Sequence, residues 1–138
     1  MPAAAAFIPG RSLAGVRLGE PAAQVRRHLG TDYGLCRGCA RTTWYFTYRR
    51  FDDQGLAVEL KRGRVFAVYT LWQPAGWHGP HSLFFGVPES RVTAAVGGTI
   101  PVTCSGYTQL VSGHSVYTIV DGKLFGFGLF REKTSPCR

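Results

Sequence analysis

The chain contains no asparagine, so it offers no acceptor for N-linked glycosylation. No run of residues approaches the ~18 consecutive apolar positions of a membrane span. The opening Met1-Pro-Ala-Ala-Ala-Ala-Phe-Ile8 lacks the basic start and long apolar stretch of a secretory signal, and reads as an initiator Met on a mature sequence. Catalytic signatures are missing as well: there is no Gly-x-Ser-x-Gly elbow, His-Glu-x-x-His, phosphate loop or dinucleotide fingerprint. His114 and Ser115 are neighbours on an expected turn, which sends their side chains to different sides rather than into a relay. Acidic residues are scarce, at 8 against 16 Lys and Arg. Glu20, Asp32, Asp52, Asp53, Glu59, Glu89, Asp121 and Glu132 fall mostly at turns and helix starts, where solvation and capping account for them. The expectation is a protein without a cofactor and not an enzyme, a hydrolase site assembled from distant residues being the competing reading.

What is present is globular. The 138 residues are 45% hydrophobic and 17% charged, enough for one domain with a real core, whereas either half alone would be marginal. The net charge of +8 is uneven, with +6 in residues 1–72 and +2 in 73–138, and thirteen of the cationic residues are Arg. Four cysteines in a short chain are compatible with two disulfides and an oxidising compartment, hence an exported protein.

The sequence repeats itself. Gly19-Glu-Pro-Ala-Ala-Gln-Val25, ending at Gly30, recurs as Gly86-Val-Pro-Glu-Ser-Arg-Val92, ending at Gly97, with the same offset at all three anchors. Lys61-Arg-Gly-Arg-Val-Phe-Ala-Val-Tyr69 is echoed, at a somewhat shorter offset, by Val120-Asp-Gly-Lys-Leu-Phe-Gly-Phe-Gly128. Such repetition means that each unit leaves an apolar face for its neighbour to cover. Proline just inside the start and glycine after the end predict helices over Pro21–Leu29 and Pro88–Val96. Ala22, Val25 and Leu29 share one face of the first, Val92 and Val96 one face of the second. Residues 1–12 read as an irregular arm and Leu13–Leu18 as a short strand or extended lead-in. Strands are expected over Thr42–Phe51, Leu56–Lys61 and Arg64–Trp72, then Val102–Leu110, Ser115–Val120 and Lys123–Arg131, with Asp121-Gly122 the clearest hairpin turn. The expected fold is α+β: two tandem α-β-β-β units, about 13–72 and 82–138, joined by a Pro/Gly-rich linker over 73–81. They would form one continuous antiparallel sheet with both helices on one face.

That order, the duplicated Gly-x-x-x-x-x-Val helix motif, and Cys36 and Cys104 soon after each helix resemble the beta-lactamase inhibitory protein family. The helix-plus-hairpin unit is also similar to that of small outer-membrane assembly lipoproteins. The helix starts read Gly19-Glu20-Pro21 and Gly86-Val87-Pro88, where the family favours Gly-Met-Thr. The resemblance implies an exported, inhibitor-like or adaptor-like binding module whose uncovered concave sheet face is the contact surface.

Aromatic residues carry the functional reading. Trp44, Phe46 and Tyr48 alternate onto one face of the first strand, opposite Tyr45, Thr47, Arg49 and Phe51. Only one sheet face can be covered by two short helices, so rings on both faces leave some exposed for binding. The expected patch joins Trp44, Phe46 and Tyr48 to Trp72 and Trp77, with Arg41 and Arg49 at its rim, and takes a macromolecule, a protein before other partners. The alternation equally allows Trp44 and Phe46 to be core. Self-assembly is a third reading, through Phe125–Phe130 as an apolar edge strand.

The cysteines admit three pairings. Cys36-Arg-Gly-Cys39 follows a helix end instead of opening one, which disfavours a redox role. A zinc set with His78 and His81 is not a recognised finger, and Gly79-Pro80 between them makes a plain turn. The structural reading is a local bridge 36–39 and a long one, 104–137. Lys123-Leu-Phe-Gly-Phe-Gly-Leu-Phe130 approaches an RNA-recognition signature but departs at Leu124 and Gly128, and the helix and strand that should follow it are missing. Basic charge would favour nucleic acid only non-specifically.

Overall fold

The computed structural model describes residues 7–131 and 134–138. Met1–Ala6 of the expected arm, and Glu132, lie outside the described residues. Proline and glycine place the helices as their chemistry requires. Helix α1 (Ala22–Leu29) starts after Pro21, and the Gly30 N–H closes it on the Arg26 carbonyl. Helix α2 (Glu89–Val96) starts after Pro88 and ends at Gly97, whose N–H reaches Thr93. Gly30 and Gly97 sit at φ 88° and 66°, a region that favours glycine.

The strands are β1 (Phe7–Ile8), β2 (Ser12–Leu13), β3 (Gly34–Leu35), β4 (Thr42–Thr47), β5 (Gly55–Lys61) and β6 (Arg64–Leu71). After α2 come β7 (Ile100–Thr103), β8 (Thr108–Ser112), β9 (Ser115–Val120) and β10 (Lys123–Phe130). β1 and β2 form a small separate hairpin; the other eight form one antiparallel sheet in the order β3-β4-β5-β6-β10-β9-β8-β7. The protein is therefore α+β and mostly sheet. Three strands after the second helix is corrected to four: the stretch expected as one strand over Val102–Leu110 is split by the turn at Cys104–Tyr107, whose ends are joined by the Cys104 N–H to Tyr107 carbonyl bond. A further short strand, β3, precedes β4.

One face of this sheet, the core face, carries the main hydrophobic cluster. Phe46, Leu56, Val58, Val68, Leu124, Phe127 and Leu129 pack there with Val25 and Leu29 of α1 and Val92 of α2. The opposite, open face carries a smaller cluster of Phe66, Ala67, Val116 and Phe130. Two β-bulges break simple alternation. In β6 the extra residue moves Phe66 away from the face of Val65 and Val68; in β10 it sits at Phe125, so Leu124 and Phe127 both reach the core.

β10 is central, paired with β6 on one side and β9 on the other. Phe125–Phe130 is therefore not an edge strand, which corrects the premise of self-association through it: Gly126–Leu129 pair with β9 and Gly128–Phe130 also with β6. The sheet ends instead in the two-residue β3 and in β7, which carries Pro101; short and proline-bearing edges resist edge-to-edge pairing. Among the described residues no helix is long and apolar enough to cross a membrane.

Both disulfides are present: Cys36–Cys39, and Cys104–Cys137, which ties the segment Thr134–Arg138 to the turn after β7. Neither sulfur of the Cys36–Cys39 pair is a thiolate ligand for zinc, and His81 lies in a short 3-10 turn over Pro80–Ser82.

Candidate functional site

The loop from β4 to β5 folds back tightly. Tyr48 donates its N–H to the Gln54 carbonyl at 3.2 Å, and Asp52 closes an inner turn on Arg49 at 2.9 Å. The Asp52 carboxylate accepts the Gln54 N–H at 2.9 Å. Gly55 lets the chain return: a Cβ there would lie 2.1 Å from the Phe46 carbonyl oxygen. The result lifts Phe51 into solvent at 95% exposure, with the Arg50 guanidinium 5.3 Å from its ring centre.

Across the sheet, β6 ends at Leu71, and Trp72 follows at 58% exposure, edge-on to Phe125 at 5.6 Å. Between these two walls lies a cleft of about 1030 Å³. Tyr45 and Thr47 of β4 floor it, and Tyr33 and Tyr48 add two more phenols. Tyr33 is fixed from behind, stacked on Trp44 at 4.1 Å, and its hydroxyl accepts from the Arg26 guanidinium at 3.3 Å. The charged lining is mixed, with Arg49 and Arg50 alongside Asp32, Asp52 and Asp53. Adjacent charges of both signs suit a peptide or protein surface better than a phosphate backbone.

The two exposed rings at the cleft are backbone outliers, whereas Phe84, exposed elsewhere, is not. Phe51 has φ 64° and Trp72 φ 48°, and Gln73 continues at φ 48°. The left-handed region costs an L-residue roughly 1–2 kcal/mol, and bulky rings are uncommon there.

Burial sorts the seven residues expected from sequence. Trp44, Phe46 and Trp77 are core, at 5%, 0% and 2% exposure, and cannot anchor a partner at the surface. The core side of the alternation won because Leu56, Val58 and Leu60, their neighbours on β5, pack against the same cluster. Trp77 donates its indole N–H to the Tyr48 hydroxyl, so the linker tryptophan is a buried strut instead of an exposed anchor. Burial raises the Tyr48 phenol above its ordinary pKa, against a smaller lowering by that bond. Tyr48, Arg49 and Trp72 do converge on the cleft. Arg41 lies elsewhere on the open face, bound to Glu59 at 3.0 Å. Tyr33, Tyr45 and Phe51 were missed as site residues. Glu59 shares a face of β5 with Ala57, the partner of Tyr45, and itself pairs with Thr43, which marks that side, and hence Tyr45, as open.

The cleft lining contains neither His nor Cys. Ser115 accepts the Gly10 N–H at 2.7 Å, while the His114 ring faces the Phe130 carbonyl at 3.2 Å. Each of these two thus has a structural partner of its own. Among the described residues no His, Cys, Asp and Glu group is placed to hold a metal. Comparison with protein-family models, curated proteins and solved structures finds no match to this chain.

Proposed function

We propose that the chain is an exported, non-catalytic binding module that engages a protein partner through the cleft between Phe51 and Trp72. The observation that carries this reading is the coincidence of exposure and strain at these two rings. Each spends folding stability to hold a large apolar side chain mostly in water, with one local contact in return, Phe125 for Trp72 and Arg50 for Phe51. Strained backbone of this kind clusters at ligand clamps, and aromatic residues beside Arg dominate the energetics of protein interfaces. The two disulfides agree with an oxidising compartment.

The architecture in this reading is a duplicated helix-plus-sheet unit with both helices on the core face, akin to the beta-lactamase inhibitory protein family. Equivalent contacts support it. Pro21, at the start of the first helix, bridges Arg64, and Pro88, its counterpart in the second, bridges Lys123. Ala22 donates to the Gly63 carbonyl as Glu89 donates to Gly122. The strand order mirrors itself about the β6–β10 pair. Units of about 13–72 and 82–138 follow, each a helix and four strands.

The test is capture of partners from native extracellular medium by the wild type and by a Phe51→Ala/Trp72→Ala variant of unchanged circular dichroism. A protein retained by the wild type and lost by the variant, at a cost of about 1–3 kcal/mol per anchor, is the expected result. Equal retention by both removes the cleft from the function, and capture of glycan or nucleic acid alone replaces the protein partner.

A further inference from the structure

A cluster of charged and aromatic side chains lies on the open face, apart from the cleft lining. Glu59 of β5 is 5% exposed, and its two carboxylate oxygens go to two different guanidinium groups. Arg41 Nε donates to Oε1 at 3.0 Å, with its guanidinium carbon 4.1 Å from the Phe66 ring centre. Arg138 Nε forms an ion pair with Oε2 at 2.7 Å, with its guanidinium carbon 4.1 Å from the Phe130 ring centre. Tyr69 stacks on Phe130 at 5.6 Å and lies 6.0 Å from the same guanidinium. Burial above all, then the Glu59 charge, pushes the Tyr69 phenol far above its ordinary pKa, so the ring presents a neutral face.

The two arginines reach Glu59 by different routes. Arg41 comes from the residue before β4, a part of the sheet. Arg138 comes from Thr134–Arg138, a segment outside every β-ladder. It is laid over the face by Cys104–Cys137, by the Gln109 side chain on the Pro136 carbonyl at 3.1 Å, and by the Tyr107 hydroxyl on the Arg138 carbonyl at 2.7 Å. A carboxylate against an aromatic face is the recognition chemistry of a guanidinium, which forks onto oxygens and stacks on rings as an ammonium does not. Once Arg138 leaves, Glu59 keeps one buried oxygen without its cation, a strong reason to accept another.

We propose that Glu59, Phe130 and Tyr69 form a binding site for an arginine side chain, and that Arg138 fills it as an internal competitor for an arginine on a partner protein. Tyr45 of the cleft lies two residue pairs along the β4–β5 ladder from Thr43 and Glu59, on the same face. A partner seated in the cleft and carrying a suitably placed arginine meets both sites on one face.

The experiment is titration calorimetry of the full chain, disulfides intact, with N-acetyl-L-arginine amide, and with N-acetyl-L-lysine amide for comparison. Arg138→Ala is expected to bind the arginine probe at least about tenfold more tightly than wild type and to prefer it to the lysine probe. Adding Glu59→Gln abolishes that gain. Arg138→Lys keeps the neutralising charge, and with it the fold, should the alanine variant melt; it too binds the arginine probe more tightly than wild type. Equal affinity across wild type and variants, equal affinity for the two probes, or a gain that survives Glu59→Gln overturns the proposal. Phe51→Ala/Trp72→Ala leaves this ranking unchanged, so failure of the cleft and failure of this site are told apart.

Discussion

At the scale of single residues, three tryptophans hold two opposite roles. Trp77 is buried and bonded to Tyr48. Trp77→Ala is expected to lower stability by about 3–5 kcal/mol in urea unfolding, the usual cost of emptying a large core site. Trp72 and Phe51 reverse a common ordering. Glycine is ordinarily less stable than alanine because it loses more backbone freedom on folding. At φ 64° and 48° the penalty of the left-handed region falls on alanine and not on glycine. Phe51→Gly and Trp72→Gly should therefore be more stable than Phe51→Ala and Trp72→Ala by about 1 kcal/mol, read by thermal unfolding. The reverse order at both positions means that the turns relax without strain.

At the scale of elements, β10 explains its own composition. A Cβ on Gly128 would lie 2.6 Å from both the Tyr69 Cβ and the Val68 carbonyl oxygen, and one on Gly126 would lie 2.7 Å from the Thr70 hydroxyl. Gly128→Ala is expected to cost about 2–4 kcal/mol, since β6 must shift and backbone gives little. Unchanged stability shows that the seam is loosely packed. Gly126, which fits the nucleic-acid signature, and Gly128, which departs from it, are thus both spacing residues between two strands. Both helices were legible in the sequence to within a residue, because proline and glycine mark their ends chemically. Central strands were legible from turns such as Asp121-Gly122, whose positive φ at both positions suits a tight hairpin. The bulges were not, since an inserted residue leaves composition untouched while separating Phe66 from the face of Val68 and bringing Leu124 and Phe127 onto one face. That is also why the site was half legible: alternation named both sets of rings on β4, and only cross-strand pairing with Glu59 tells the open set from the buried one.

For the whole molecule, the two disulfides differ in what they constrain. Cys36–Cys39 closes a loop of sequence separation 3 and Cys104–Cys137 one of 33. Loop entropy predicts that replacing the long bridge with serines costs about 4 kcal/mol and the short one about 2, measured by denaturant unfolding. Alkaline pH tests the core. Burial holds the Tyr117 hydroxyl up to about 12, and Tyr69 higher still, against an ordinary value of 10.0. The folded state keeps these protons where the unfolded chain loses them, so stability is whole below about pH 10 and falls as pH rises towards 12 and beyond. Absorbance at alkaline pH should show part of the six tyrosines ionising only together with unfolding; smooth titration of all six in a folded protein contradicts this burial. The seam between β6 and β10 also sets a timetable. Tyr69 meets Gly128 from the far end of the chain, whereas β4, β5 and β6 meet through short loops. Pairing over such distances is slow, because the entropy of loop closure is lost before any contact compensates for it. A nascent chain that has made β6 must wait for β10 with one row of amides open to solvent, and in that interval it is most in need of a chaperone.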